Sequence, residues 1–405
     1  MAYVAARGGE QAIQNAESLY RELNGDYSNE FLDNLEHHLP YLIDRVMGEG
    51  SLYSPELAAL AIAQSGGDLY EAVLLLRAYR STQPRLAHAE TISSETMLTV
   101  RRISAAFKDV PGGQVLGPTL DYSHRVLHLE KLNAEKLNPE KLNADLASQG
   151  EHGVRPYEIV DPVGATLGVA LARTAEGPNQ NPNSSFPFVA DWLRDTGLLP
   201  ASEPDTLEPK DIPDLTREPP AYPTPRAARL QALARADTGG LLALGYSNMR
   251  GYGGIHPTVN EVRLAHAEVR LRHPISGAIF SVGHVRVSSA EVVTKFTSNK
   301  IPPELSLGFA MCLGWNETKL IAAAMLDVAM DLPNPHPAHT EEFVLSHTEP
   351  VEASGFCIHY KLPHHVTFQS DLDRVRKARA GGSVNLESFT QNDLVADLVT
   401  DPVAR

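Results

Sequence analysis

Cysteine is nearly missing from this chain of 405 residues, which holds only two. A disulfide framework is thereby excluded, folding must rest on a buried core, and a reducing compartment suits the protein. Cys312 and Cys357 lie among apolar neighbours far apart in sequence and are expected to be buried free thiols. Positive charge is short as well. Thirty-five Lys and Arg against fifty Asp and Glu leave a formal charge of -15, which opposes a polyphosphate backbone and argues against general nucleic-acid binding. Any anionic ligand must therefore meet a local cationic pocket. No run approaches the roughly twenty apolar residues of a membrane span, and the first ten residues carry no apolar signal segment, so a cytoplasmic protein without a membrane is expected. Walker A, dinucleotide and Gly-x-Ser-x-Gly motifs are absent too. Gly8-Gly9 and Gly251-x-Gly253-Gly254 have the wrong spacing for phosphate-cradling fingerprints.

The length allows two or three domains. Residues 10–80 read as a helical block, with Ile13, Ala16, Leu19, Tyr20 and Leu23 recurring at helical spacing. Ser54-Pro55 marks a helix start that Gly66-Gly67 ends, and Asp68 with Glu71 forms a capping box for the next helix. Arg77 and Arg80 are expected to be a solvated last turn. Between 130 and 145 Glu-Lys-Leu-Asn repeats every five residues. Five residues advance a helix by about 500°, so Leu132, Leu137 and Leu142 never line one face, and a solvated insertion is expected. Eleven of the twenty-nine prolines fall within 174–225, which predicts an extended surface linker interrupted by one amphipathic helix at 188–193. Beyond it, a helix is predicted at 226–237, and a hairpin from Val262, Leu264, His266 and Glu268 through Pro274-Ile275-Ser276-Gly277 into 278–284. Helices follow at 317–330, where the Ala- and Met-rich stripe reads as core packing, and at 368–380. The fold class is α+β: a mainly helical domain at 1–128, an insertion and Pro-rich linker at 129–225, a mixed α/β domain with antiparallel strands at 226–380, and a polar tail at 381–405.

Six of the sixteen histidines crowd into 336–365. Two of them, His359 and His364, flank Pro363. Proline cannot continue a helix and pushes Leu362 toward an extended conformation, so the two imidazoles are expected to converge across a bend and form half of a divalent-metal site. Zinc needs two more ligands, and iron, nickel or copper suit imidazole equally. Cys357 is a further candidate ligand; a pair of surface histidines on a turn is the plainer alternative. Two more segments join glycine to charge. In 101–125 the glycines give an anion access to backbone amides, and Lys108 and Arg125 supply charge. In 246–257 Arg250 is a bidentate anion binder, Tyr252 a stacking surface for a base or sugar, and His256 an acid or ligand. A tight turn and a surface loop are the respective alternatives.

Tyr3-Val4-Ala5 with Gly8-Gly9-Glu10, Asp44-Arg45-Val46-Met47, Leu74-Leu75-Leu76-Arg77-Ala78-Tyr79-Arg80, Arg102-Ile103-Ser104 through Pro118, Arg250-Gly251-Tyr252-Gly253 and Glu341-Glu342-Phe343-Val344-Leu345 through His364 occur in this order. Together they resemble the PhnI family, core subunits of the bacterial carbon-phosphorus lyase machinery. The resemblance implies ribosyl transfer in which methylphosphonate displaces adenine from ATP, giving ribose 1-methylphosphonate 5-triphosphate. It also implies purine nucleosidase activity on ATP or GTP for the subunit alone, a homodimeric core within a hetero-oligomer of the companions PhnG, PhnH and PhnJ, and a metal held by His359 and His364. Cleavage of an N-glycosidic bond passes through an oxocarbenium-like state, which calls for an anion near the ribose, a proton donor for the base and cations for the phosphates. On that chemistry Asp121 stabilises the ribosyl cation, His124 or His256 protonates the purine, and Lys108, Arg125, Arg250 and Lys361 hold the anions. A non-catalytic scaffold whose metal cements a subunit interface is the alternative.

Overall fold

The computed structural model describes residues 9–25, 27–93, 96–128, 186–201, 212–252, 256–294, 305–361 and 366–380. Its contacts cluster into two units, one of 1–26 with 354–405 and one of 27–353. The five-residue repeat and the tail from 381 lie outside the described residues.

The helical block forms as the pattern predicts: α1 Glu10–Asn24, α2 Asn29–His38, α3 Pro40–Gly50, α4 Pro55–Gln64 and α5 Leu69–Thr82. Its boundaries follow local chemistry. The Ser54 hydroxyl accepts from the Leu57 amide at 3.3 Å ahead of Pro55, and the Asp68 carboxylate accepts from the amides of Tyr70 and Glu71, which satisfies donors that a helix start otherwise leaves unpaired. Ile43, Val46 and Met47 of α3 pack on Ala58 and Ile62 of α4 and on Val73 and Leu76 of α5. Each such aliphatic side chain stabilises the block by about 1.5–3 kcal/mol relative to solvent exposure. In the other unit, α1 buries none of its side chains.

Four antiparallel strands, β1 Leu98–Ile103, β2 Thr258–Arg272, β3 Ile279–Thr294 and β4 Ser306–Leu313, pair in the order β1-β2-β3-β4. The turn expected at 274–277 closes with the Gly277 amide on the His273 carbonyl and the His273 amide on the Ala278 carbonyl, both at 2.9 Å. Neither β1 nor β4 was expected from the pattern. β1 runs into a segment whose glycines and charges have the composition of a loop, and β4 alternates small and apolar residues too weakly to stand out. The remaining helices are α6 Val189–Asp195, α7 Arg226–Arg235, α8 Thr238–Ser247, α9 Glu317–Met330, α10 Glu341–His347, α11 Pro350–Lys361 and α12 Val366–Arg379. As the Ala-rich stripe predicts, α9 is core: Leu320, Ala323, Ala324 and Leu326 pack on Val262, Ala290, Val292 and Ala310 of the sheet. Gly308 permits this approach, because a Cβ there would overlap the Ala324 carbonyl oxygen.

The other sheet face carries buried charge. Arg102 stands opposite Arg263 across β1 and β2, and Glu261 stands opposite Glu291 across β2 and β3; all four are at most 3 % exposed. One Glu261 oxygen accepts from Arg102 Nε at 2.5 Å and Arg263 Nη2 at 2.7 Å, while its other oxygen accepts from the Val189 amide at 3.0 Å. Glu291 accepts from the Ala190 amide and from Asn260 Nδ2. The first amides of α6 are thus seated on two carboxylates of the sheet, and the helix expected at 188–193 docks there. Burial, and then the facing Glu261 charge, push the Glu291 carboxyl up to about 8. The folded state therefore binds a proton that the unfolded chain releases near the ordinary value of 4.5, so this group's contribution to stability declines as pH rises from about 4.5 to about 8. Thermal unfolding across that window should show Glu291→Gln losing less stability with pH than the parent protein. Parallel profiles would remove the assignment.

Two expectations are corrected. Arg77 and Arg80 are not a solvated turn. Arg77 is tied to the Glu49 carbonyl at 2.9 Å, the Arg235 carbonyl at 3.0 Å and the Glu349 carboxylate, and Arg80 binds the Thr216 carbonyl at 3.1 Å. Guanidinium groups on long stems reach carbonyls that helix periodicity cannot place. Nor is the described part of the Pro-rich linker confined to the surface: Leu215 and Thr224 are buried, and Gln231 of α7 clasps 213–215 by donating to the Pro213 carbonyl and accepting from the Leu215 amide.

Candidate functional site

The charged constellation richest in the expected residues is built on the end of β1. After Ile103 the chain folds back so that the Val115 and Arg102 backbones exchange two hydrogen bonds of 2.7 and 2.8 Å. Gly117, with φ +60°, then passes against β1 where a Cβ would strike the Val100 carbonyl and the Arg101 side chain. This return lays Leu116 to Asp121 alongside Arg101, whose side chain is 1 % exposed. Arg101 donates through Nε to Glu317 Oε1 at 2.6 Å, through Nη1 to the Leu116 carbonyl at 2.5 Å and through Nη2 to Asp121 Oδ2 at 2.5 Å. Arg125 Nη2 reaches the other Asp121 oxygen at 3.2 Å. Asp121 keeps about half its side-chain surface in solvent. A bond from Thr119, outweighing slight desolvation together with the Arg101 and Arg125 guanidiniums, holds its carboxyl below the usual carboxylate range. The result is a carboxylate kept ionised, oriented from behind by a buried cation and open in front.

Of the expected residues, Asp121 and Arg125 meet directly, and His124 is exposed beside them. Arg101 and Glu317 had drawn no role. Glu317 opens α9, 216 positions along the chain from Arg101, and no local signal could have joined them. Tyr41 of α3 belongs to the same neighbourhood: burial and then the Glu317 charge push its phenol up, with Arg101 opposing.

The other candidates stand on separate elements. Lys108 is exposed on the loop after β1, where its carbonyl accepts from Gln114 Nε2 at 2.9 Å. Arg250 lies in a wide helical turn, Asn248–Tyr252, with its guanidinium 5.9 Å from the Tyr246 ring. That placement is a cation-π contact and leaves the guanidinium exposed. His256 is exposed just ahead of β2, and the side chain of Tyr252 lies outside the described residues. Lys361 is the exposed last residue of α11.

His359 sits in the last turn of α11, half-buried, with its ring 5.9 Å from that of Tyr360. The bend predicted at Pro363 and His364 itself lie outside the described residues. Cys357 is exposed, contrary to expectation, because its stretch of α11 leaves Phe356 and Tyr360 in solvent too. Cys357 and His359 are two positions apart on a helix and point to different sides, so they do not converge on one ion. Among the described residues no group of three or more His, Cys, Asp or Glu is disposed to hold a metal. The fit to a divalent ion rests on donor chemistry: an imidazole at a helix end suits zinc and its neighbours as one ligand.

No helix among the described residues is long and apolar enough to cross a membrane. Residues 2–382 match the family model described as bacterial phosphonate metabolism protein (PhnI). The chain is 43 % identical over 389 residues to HtxH of Stutzerimonas stutzeri, provisionally named a C-P lyase subunit protein, with 93 % of this chain and 95 % of that one covered. It is 40 % identical to alpha-D-ribose 1-methylphosphonate 5-triphosphate synthase subunit PhnI of Rhizobium meliloti (strain 1021), over 93 % of this chain and 95 % of the relative. The subunit of the same name from Escherichia coli (strain K12) is 38 % identical over 93 % and 98 %.

Proposed function

From the premise that this chain belongs to the PhnI family of bacterial phosphonate metabolism proteins, we propose that it is a carbon-phosphorus lyase subunit catalysing ribosyl transfer. In that reaction methylphosphonate displaces adenine from ATP to give ribose 1-methylphosphonate 5-triphosphate, and water takes the place of phosphonate when the subunit acts alone, releasing purine from ATP or GTP. The observation that supports the reading is the ionised Asp121, braced by buried Arg101. A carboxylate in that setting stabilises positive charge developing at the anomeric carbon, because its own position is fixed before the reaction begins. His124 is proposed to protonate the departing purine, and Arg125 to attract the phosphates. Arg101 touches no substrate; it positions Asp121. Arg250, Lys108, Lys361, Tyr252 and His256 are proposed to contact nucleotide or phosphonate within the assembled complex.

His359 with His364 is proposed to hold a divalent ion, zinc in preference, in an assembly with PhnG, PhnH and PhnJ around a homodimeric core in the cytoplasm. When bound, such an ion would act as a Lewis acid toward phosphate or phosphonate oxygens. The purified chain incubated with ATP or GTP is expected to release free purine. No release with any divalent metal or any of the companion subunits would leave a scaffold role in its place. Metal analysis of His359→Ala should show a lower content, and an unchanged content would take the histidine pair out of the proposal.

A further inference from the structure

A cavity of about 460 Å³ lies well away in sequence from the Asp121 loop. Gly48 and Ser51 at the end of α3, Arg85 and His88 after α5, Asp214 and Thr216 of the linker and Arg235 of α7 are among the residues that line it. Its volume suits a small polar ligand. Its charge is unusual for so acidic a chain: two guanidiniums and an imidazole face a single carboxylate, Asp214. That carboxylate is ion-paired, although its Oδ2 is itself buried without a geometric hydrogen bond among the described residues. Burial opposes its charge, yet bonds from Thr216 and Arg85 hold it down at about 2, with Arg85 Nη1 2.6 Å from Oδ2 and Thr216 Oγ1 2.6 Å from Oδ1.

Two buried donors at this cavity lack partners among the described residues. They are the Ser51 hydroxyl and Arg235 Nε. Ser51 is moreover held at φ +55°, a conformation few non-glycine residues adopt. Beneath the wall is a third donor. A Cβ on Gly48 would lie 3.9 Å from Lys319 Nζ, and that ammonium, 1 % exposed, donates at 2.7 Å to the carbonyl of Ala234, its one hydrogen bond among the described residues. Burial pushes Lys319 down from its ordinary value, and burial followed by the nearby Arg77 and Arg80 brings Arg235 down to about 10. The Lys319 shift reflects loss of water, whereas Arg235 is in addition crowded by neighbouring cations. An anion in the cavity would pair the idle donors and relieve that crowding.

We propose that this cavity is a binding site for a phosphate or phosphonate group, built from Ser51, Arg85 and Arg235 with Lys319 behind them. The choice of a phosphorus oxyanion over a carboxylate rests on the phosphonate-metabolism reading; the cationic, donor-rich cavity does not. The test is isothermal titration of the full chain in chloride buffer with inorganic phosphate, methylphosphonate, ATP and adenosine in turn. Saturable binding of inorganic phosphate is expected, about tenfold weaker in Arg85→Gln and about fivefold weaker in Ser51→Ala. Ser51→Ala removes a hydroxyl that bonds nothing among the described residues, so its melting temperature should match the parent's, and this variant carries the test should Arg85→Gln fail to fold. Tighter methylphosphonate marks a phosphonate seat, and tighter ATP a triphosphate seat; adenosine should not compete with phosphate. Absence of saturable phosphate binding, or phosphate affinity unchanged in folded Ser51→Ala and Arg85→Gln, overturns the proposal. Phosphate binding by a chain that releases no purine under any condition would sink the ribosyl-transfer reading and leave this site standing.

Discussion

Glu261→Ala is expected to cost about 3–5 kcal/mol of stability, the scale on which a buried ion pair loses one member. Arg102 and Arg263 are each 1 % exposed, and Glu261 is the carboxylate that both of them bind. Without it two guanidiniums remain in the interior with no carboxylate bonded to them among the described residues, left to the carbonyls of Pro111, Gly113, Phe186 and Pro187 and to the rings of Phe186 and Phe188, and the Val189 amide loses its acceptor. Urea unfolding at neutral pH, with the denaturant slope unchanged, measures the loss. A second consequence is specific to this geometry. The Glu261 charge is one of the forces that raise the Glu291 carboxyl, so in the variant the pH-linked decline in stability should still begin near the ordinary carboxylate value but end at lower pH than in the parent. Simultaneous replacement of Arg102, Arg263 and Glu261 by apolar side chains of similar volume should cost far less than the single change, because no charge is then left unpaired. A loss from Glu261→Ala below about 1 kcal/mol would mean that water reaches the cluster.

Asp121→Asn is expected to lower purine release about a hundredfold, the scale of deleting one preorganised electrostatic contact at a reacting centre. An amide can still accept from Arg101 but brings no negative charge to an oxocarbenium-like state. Stability should barely change, since Asp121 is half exposed and Arg101 keeps Glu317 and the Leu116 carbonyl. KM should move little, as the effect falls on the transition state. The carboxyl lies below the usual range, so in the parent protein this group stays ionised well into acid, and its loss of function as pH falls should begin below the ordinary carboxylate pKa. Arg101→Lys separates positioning from charge: it keeps one cation but cannot bridge Asp121, Glu317 and Leu116 at once, so the rate should fall while the acid limb shifts upward. An Asp121→Asn enzyme with undiminished kcat would require a different carboxylate at the ribose.

The elements most legible in the sequence are those whose cause is local. Ser54 with Pro55, and Asp68 with Glu71, announce α4 and α5 because a cap needs only residues within one turn. The stripe of α9 gives its length to the residue, and the 274–277 turn announces the hairpin. Local pattern makes Arg77 a solvated residue and Cys357 a buried one, and the structure reverses both. For both, burial depends on what lies across space: Glu49, Arg235 and Glu349 for the arginine, solvent for the thiol.

The sequence by itself determined the α+β class, the helical block, the central hairpin and, through long ordered stretches of resemblance, membership of the family. It also named Asp121 and Arg125, which are four residues apart and meet through a short-range bend. Tertiary structure alone decided that Arg101 braces Asp121, that Glu261 joins two arginines under α6, and that Ser51, Arg85, Arg235 and Lys319 gather at one cavity. The physical reason is range. Capping and periodicity act over a few residues and leave their mark in the order of side chains, whereas an ion pair depends on distance in space and on loss of water, which the chain acquires only when strands, helices and loops from separate parts of the chain close on each other.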